Sequence, residues 1–356
     1  MPNGAKYGRM PMNLAQNRRG QSQNLVKCQL KLSRRFSIIF RVLQNAGFRE
    51  EREIVNNRIK GIVMAAGGAG LWGLMSIFSR TLNAADYTSL EIAYIRCLVA
   101  GIGLALIHGK KDPSILKVCK KGIVISLMFG AVTYTVGFLS YAYSVERIPA
   151  AMTAVLSFTS PIWTCLIGVL VFRERVKGKK VLAIICCLFG AALITNLIGA
   201  QEIRFDLLGM GAAVMNGVGI AMQVCVPRYF EKQFRKDTML TYGFLGAAGF
   251  MALFVDHGKI VGSFTGPGGI KVLLSALALS VFCTLVANTI FVKSASYVEP
   301  ATTTILSALE VVVGALVGLL LFGETLTALQ ILGAVIIVAA SLGMELAEKP
   351  AAAKTE

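Results

Sequence analysis

The stretch ATTTILSALEVVVGALVGLLLFGE, residues 301–324, lies without gaps on AMTAVLSFTSPIWTCLIGVLVFRE, residues 151–174, after a shift of 150 positions. Nine of the 24 positions are identical, among them Thr153/Thr303, Ser157/Ser307, Gly168/Gly318, Phe172/Phe322 and Glu174/Glu324, and five more exchange one aliphatic residue for another. Two apolar segments share aliphatic residues by composition alone, but matched small and polar residues point to an internal duplication.

The helical geometry of the stretch says what was duplicated. Thr303, Ser307, Glu310, Gly314 and Gly318 recur at steps of three and four, which puts them on one face of an α-helix. The counterpart face is Thr153, Ser157, Ser160, Thr164 and Gly168. Each copy is therefore an apolar body with one narrow stripe of small and hydroxylic residues, a surface that lets helices approach closely or lines a wet cavity. Packing accounts for most of the stripe. It does not account for Glu310, a carboxylate near the middle of an apolar span.

The rest of the chain fits that frame. Of 356 residues, 55% are hydrophobic and 15% charged, and the charges cluster between long uncharged runs, as in a polytopic all-α membrane protein. About 20 apolar residues cross a hydrocarbon core of about 30 Å. Ten segments qualify: 61–82, 88–108, 122–144, 149–172, 180–198, 207–229, 238–256, 271–293, 300–322 and 326–346. The net charge of +17 lies at their boundaries, which argues for a lipid bilayer and against a nucleic acid as partner. The loops at 109–121, 173–180 and 228–237 hold five, five and four Lys/Arg, whereas the alternate loops hold little beyond Arg147, Arg204 and Lys259. By the positive-inside rule the basic loops are cytoplasmic, which predicts ten crossings of a plasma membrane with both termini inside. The eight cysteines read as packing thiols.

Residues 1–60 are a different material: thirteen Lys/Arg against Glu50, Glu51 and Glu53, with no apolar core of a signal peptide. The piece from Lys31 to Leu43 suits an anionic leaflet, and the composition also fits an organellar transit peptide or sequence upstream of the true start. A tail without transport function is the expectation, as it is for the polar residues 347–356.

Several side chains in the spans are candidate contacts for a small-molecule substrate. Trp72 sits at the centre of a glycine-rich first span, where packing explains it as well as a ligand does. Span two carries Glu91 and Arg96, about 140° apart around the helix and so not a local ion pair; Arg96 suits a cavity and equally a stem snorkelling to the surface ~9 Å away. Tyr134, Phe138 and Tyr141 share a face of span three, as a cavity wall or a packing surface would. Pro161, beside Ser160, predicts a kink near mid-membrane. Asn216 and Gln223 lie on one face of span six, and Asn288 follows Thr284 by four; buried amides serve as interhelical glue or as substrate contacts.

Spans four and nine, the two copies, are five crossings apart. Five is odd, so they run in opposite directions. The charges agree, since the first copy ends in RERVKGKK and the second in GETLTA. Residues 61–198 and 207–346 thus read as two inverted five-helix repeats, an architecture with a site between the halves and alternating access.

The Trp72-Gly73 pair, the Arg96 in TSLEIAYIRCLVAG, PAAMTAVLSFTSPIW…FRE and EPATTTILSALEVVVGALVGLLLFGE together resemble the EamA-type transporters of the drug/metabolite transporter superfamily, over residues 60–346. The resemblance implies a secondary transporter exporting amino acids or other small metabolites. One departure stands out: Val311 replaces the usual Pro after the second-half Glu, which puts a symmetric kink in doubt. The small multidrug branch uses a Glu in its first span, and this span has none.

Other function classes fit less well. The only histidines, His108 and His257, lie at opposite predicted membrane ends and no HExxH or paired-acid motif appears, so neither an enzyme nor a metal or other cofactor is expected. A channel would need a ring of charges or a filter loop, and a scaffold or sensor an extramembrane domain. Within the carrier reading Glu310 is the most consequential side chain: an ionised carboxylate at mid-membrane costs roughly 2.5–3.5 kcal/mol even on insertion scales, so it needs a partner, a wet pocket or a coupling proton. Residues Thr303, Ser307, Ser157 and Ser160 complete the expected site.

Overall fold

The computed structural model describes residues 49–197, 206–266 and 268–347, all of whose regular structure is helical. The expectations for the basic tail before Arg49 and the polar tail after Ala347 lie outside these residues. The chain groups into two compact units, Met1–Asn56 and Asn57–Glu356. In the first, the described residues are the opening turns of α1 (Arg49–Gly73).

From Asn57 onward the chain runs helix after helix. Leu74 interrupts the first span, and α2 (Met75–Asn83) completes it. Thr88 then starts α3 (Ser89–Lys111) with a capping box, its hydroxyl accepting the Glu91 N–H while Glu91 accepts the Thr88 N–H. The third span is α4 (Lys120–Gly130), a π-helical turn at Ala131–Thr135, and α5 (Val136–Arg147). The first copy of the duplicated stretch is α6 (Ala150–Ser157) and α7 (Ser160–Phe172), followed by α8 (Gly178–Ile194).

The second set begins at α9 (Leu207–Tyr229), capped by Asp206, which accepts the Gly209 N–H; that bond holds the Asp206 carboxyl below its usual range. Next come α10 (Lys236–Met251) and a short α11 (His257–Thr265), which the hydropathy pattern does not announce. Then α12 (Gly269–Ser280) and α13 (Ala287–Ser294) flank a π-helical turn at Val281–Val286. The second copy is α14 (Pro300–Leu306) and α15 (Leu309–Phe322), and α16 (Ala328–Ala347) closes the chain.

Among the described residues, seven stretches are long and apolar enough to cross a membrane: Val55–Asn83, Ser89–Lys111, Lys120–Arg147, Ala151–Phe172, Leu207–Tyr229, Gly269–Ser294 and Pro300–Phe322. Three further segments counted from the sequence correspond to α8, α10 and α16; the first two, at 17 and 16 residues, are at the short end of the length a crossing takes. The outer surface is apolar, with Leu170 at 71% and Leu320 at 75% exposure, as a chain solvated by lipid requires. The core runs through α3 and α10, around Leu240, Phe244 and Met251. Helices α8 and α16 pack on each other and leave Ile185, Phe189, Leu332 and Val335 exposed, a peripheral position.

Local features recur at the 150-residue offset. Ser144 and Thr153 share a hydroxyl hydrogen bond of 2.8 Å, and Ser294 and Thr303 share one of 3.0 Å. The two π-helical turns correspond. Both duplicated stretches break in mid-helix, at Phe158–Thr159 and at Ser307–Ala308. Pro161 therefore marks a break, as expected, but the doubt raised by Val311 is resolved the other way: the second copy breaks without a proline. There Thr304 donates to the carbonyls of Pro300 and Ala301 and Ser307 to that of Thr304, so hydroxyls compete for the backbone acceptors.

Candidate functional site

The break in the second copy delivers Glu310 to the first turn of α15. Opposite it, α1 approaches through Gly73. A Cβ at Gly73 would lie 2.6 Å from Val313 Cβ and 2.7 Å from the Glu310 carbonyl oxygen, so only glycine permits this crossing. The first copy is crossed in the same way by α9, where a Cβ at Gly217 would lie 2.9 Å from the Ser157 carbonyl oxygen and 3.4 Å from the Ser160 nitrogen. Ser160 is the residue that corresponds to Glu310.

Arg96 comes from α3 and faces the bundle interior. It is only 8% exposed, which removes the snorkelling alternative. Its Nε donates to Thr284 Oγ1 at 2.8 Å, and its guanidinium carbon lies 5.2 Å from the centre of the Phe138 ring. Thr284 is presented by the π-helical turn between α12 and α13, where its hydroxyl donates to the Leu279 carbonyl oxygen at 3.3 Å. The extra residue of such a turn re-aims a side chain that a regular helix would direct elsewhere. Arg96 and Glu310 are electrostatic neighbours, and Tyr141 is a neighbour of Glu310. Glu310 is partly exposed and Tyr141 38% exposed, so protein packing does not fully enclose these two side chains.

The pair related to Arg96 and Thr284 by the pseudo-symmetry has different chemistry. Gly61 and Ala65 of the first span match Gly209 and Ala213 of the sixth at an offset of 148; at that offset Arg96 corresponds to Phe244, and at 150 Thr284 corresponds to Tyr134. Their rings lie 4.7 Å apart. Tyr134 is fully buried among Phe129, Phe138 and Phe244, with its hydroxyl unpartnered among the described residues. One pair drawn from the two halves is thus an arginine and a threonine where its pseudo-symmetric counterpart is two packed aromatics.

The remaining candidates divide between contact and glue. Trp72 packs on Phe291, ring centres 4.5 Å apart. Asn216 donates to Ser157 Oγ at 2.9 Å and so ties α9 to α6, while Ser157 itself donates to the Thr153 carbonyl oxygen. Asn288 donates to the carbonyl oxygen of Thr284, within its own span. Thr303 is bonded to Ser294, and Ser307 turns back onto its own helix. Gln223 is buried, and Ser160 is buried with its hydroxyl unpartnered among the described residues. Glu91, far from Arg96 as the spacing requires, pairs with Lys259 at 2.9 Å. Among the described residues, no group of three or more His, Cys, Asp or Glu side chains has the arrangement of a metal site. The sequence reading missed Phe138 and Thr284 as partners of Arg96, because nothing in a single chain marks which residue a π-helical turn will present.

The model of the EamA-like transporter family matches the chain twice, over residues 59–196 and 205–345. An uncharacterized transporter of Archaeoglobus fulgidus is 29% identical over 204 residues, covering 57% of this chain and 70% of that one. The uncharacterized inner membrane transporter YicL of Salmonella typhimurium is 25% identical over 282 residues, 78% of this chain and 92% of its own length. A solved crystal structure superposes with a TM-score of 0.66 at 15% identity, covering 81% of this chain and 99% of the other, a likeness of fold.

Proposed function

The chain belongs to the EamA-like transporter family and is a multi-pass membrane transporter, and on that premise we propose that it exports a small polar metabolite, an amino acid or related compound, by alternating access. In this reading residues 61–198 and 207–346 are two inverted repeats of five spans each in the plasma membrane, with both termini in the cytoplasm. The recurrence of hydrogen bonds, helix breaks and π-helical turns at one offset supports the duplication. The odd number of crossings between the copies supplies the inversion.

The observation that carries the reading is that Arg96 and Glu310, one from each half, lie within electrostatic range of each other without forming an ion pair, with Tyr141 beside Glu310. A lone charge at this depth is costly, and a neighbouring opposite charge offsets part of that cost. A zwitterion can replace both terms at once: its carboxylate takes the Arg96 guanidinium and its ammonium takes Glu310, which holds a proton or the Arg96 charge when no substrate is bound. Trp72, Tyr134, Asn216, Gln223, Asn288, Ser157, Ser160, Thr303 and Ser307 then shape and brace the pocket.

The test is flux in proteoliposomes loaded with a mixture of labelled amino acids. Saturable exchange, accelerated by substrate on the opposite side, is expected. Unsaturable conductance would mean a channel and end the carrier reading.

A further inference from the structure

The duplicated stretches end in glutamates that the site does not use. In each copy a residue with left-handed backbone, Arg173 at φ 54° and Gly323 at φ 67°, closes the helix. The following N–H, of Glu174 or Glu324, then donates to the carbonyl oxygen of Gly168 or Gly318 at 2.9 or 3.1 Å. That turn aims both carboxylates at an arginine from the other half. Glu174 meets Arg228 of α9 at 3.3 Å, and Glu324 meets Arg80 of α2. Each guanidinium also lies over a phenylalanine of the same stretch, Arg228 at 5.5 Å from the Phe172 ring centre and Arg80 at 3.7 Å from that of Phe322. The glutamates and phenylalanines are 150 residues apart and the arginines 148, so one three-residue arrangement is built twice.

The two arrangements lie at opposite ends of the bundle. Arg228 donates to the carbonyl oxygens of Ala295 and Val298. Gly61, at the start of the first span, packs on Tyr297 and Val298. The end of α9 is thus level with residue 61, and Arg80 lies nineteen residues further along that span, or ~28 Å at the helical rise. Both pairs are formed in the same structure, with Arg96 and Glu310 between them.

We propose that Arg80–Phe322–Glu324 and Arg228–Phe172–Glu174 are paired latches that close the two mouths of the substrate path and are released in turn. The proposal rests on the alternating-access reading above. Because each latch joins a span of one half to the duplicated stretch of the other, separating the halves at one end breaks one latch and leaves the other. The pseudo-symmetry that exchanges the halves exchanges the latches. They are unequal: Arg80 and Glu324 are 52% and 50% exposed, whereas Arg228 and Glu174 are 25% and 20% exposed and Arg228 has two further backbone acceptors. The Arg80 end is therefore the looser one, and the resting protein opens there more often.

The test needs no substrate. The full chain is reconstituted in oriented vesicles with native Cys283 as its single cysteine; this thiol is fully buried beside Arg96. Alkylation by an impermeant maleimide is timed from each side. Glu324→Gln should raise the rate from the Arg80 side roughly two- to fivefold, the worth of an exposed ion pair, and leave or lower the rate from the other side. Glu174→Gln should do the reverse. The swap Arg80→Glu with Glu324→Arg should restore the native rate, which separates latch loss from misfolding. Unchanged rates in well-folded single variants, or a swap that fails to restore, overturn the latches and leave alternating access standing. A single variant that opens Cys283 to both sides at once overturns alternating access itself, and the latches with it.

Discussion

Arg96 is held by one hydrogen bond and one ring face, and each can be removed alone. Arg96→Lys keeps the charge but loses the fixed Nε geometry toward Thr284 and the planar stack on Phe138. We expect flux to fall roughly tenfold, equivalent to about 1.4 kcal/mol, with the protein still inserted and folded. Thr284→Val removes the acceptor and leaves the side chain's volume, and should cost between about 0.6 and 1.5 kcal/mol of stability by thermal unfolding in detergent. Glu310→Gln divides transport from packing, since the amide keeps size and hydrogen bonding but cannot ionise. Its expected outcome is normal insertion with flux reduced and its pH dependence flattened. Wild-type flux with an unchanged pH profile would leave Glu310 as interhelical glue and remove it from coupling.

At the scale of the element, the crossing of α1 on α15 depends on a missing methyl group. At Gly73 the obstacle to a Cβ includes the Glu310 carbonyl oxygen, which is backbone and cannot rotate away. Gly73→Ala should therefore cost roughly 1–3 kcal/mol, read as a lower melting temperature, and should shift Glu310 with its helix and depress flux beyond the loss of folded protein. Gly211→Ala, where a Cβ would meet nothing within 4 Å, is the control expected to be neutral. These elements also mark how far the sequence could be read. The stripe Thr303, Ser307, Glu310 announced a helix face, and Pro161 announced a break. The break at Ser307–Ala308 had no such signal, because it arises from Thr304 and Ser307 hydroxyls bonding backward, and such residues sit in unbroken helices as often. Neither π-helical turn was legible, since one inserted residue leaves an apolar run apolar. Arg96 was legible as an anomaly; its partner Thr284 was not, because partnership here is a product of that turn. The matched glutamates Glu174 and Glu324 were visible as identities, yet their arginines come from elements 54 and 244 residues away.

At the scale of the whole molecule, the basic loops predict which way up it sits. The basic loops at 109–121, 173–180 and 228–237 put the ends of α3, α7 and α9 on one side, and membranes retain such loops in the cytoplasm. The structure keeps several of these charges in pairs, Arg235 with Asp112 at 2.7 Å and Lys293 with Asp237 at 2.7 Å, but pairing does not cancel the rule, which counts Lys and Arg rather than net charge. Cys119 lies exposed in the first basic loop, and Ala84 lies exposed at the opposite end, in the turn after α2. Native Cys119 retained as the single cysteine should therefore resist an impermeant maleimide added to intact cells and react once they are opened. Ala84→Cys in a cysteine-free chain should react in intact cells. Gln201, in the loop between the repeats and outside the described residues, should behave like Ala84 if the halves are inverted, because five crossings separate it from the start of α1. Labelling of Cys119 but not of Ala84→Cys in intact cells would turn the protein over, make the Arg80 latch the cytoplasmic one and reverse the proposed direction of export. Labelling of Ala84→Cys without Gln201→Cys would break the inversion instead, since the first repeat would then contain an even number of crossings.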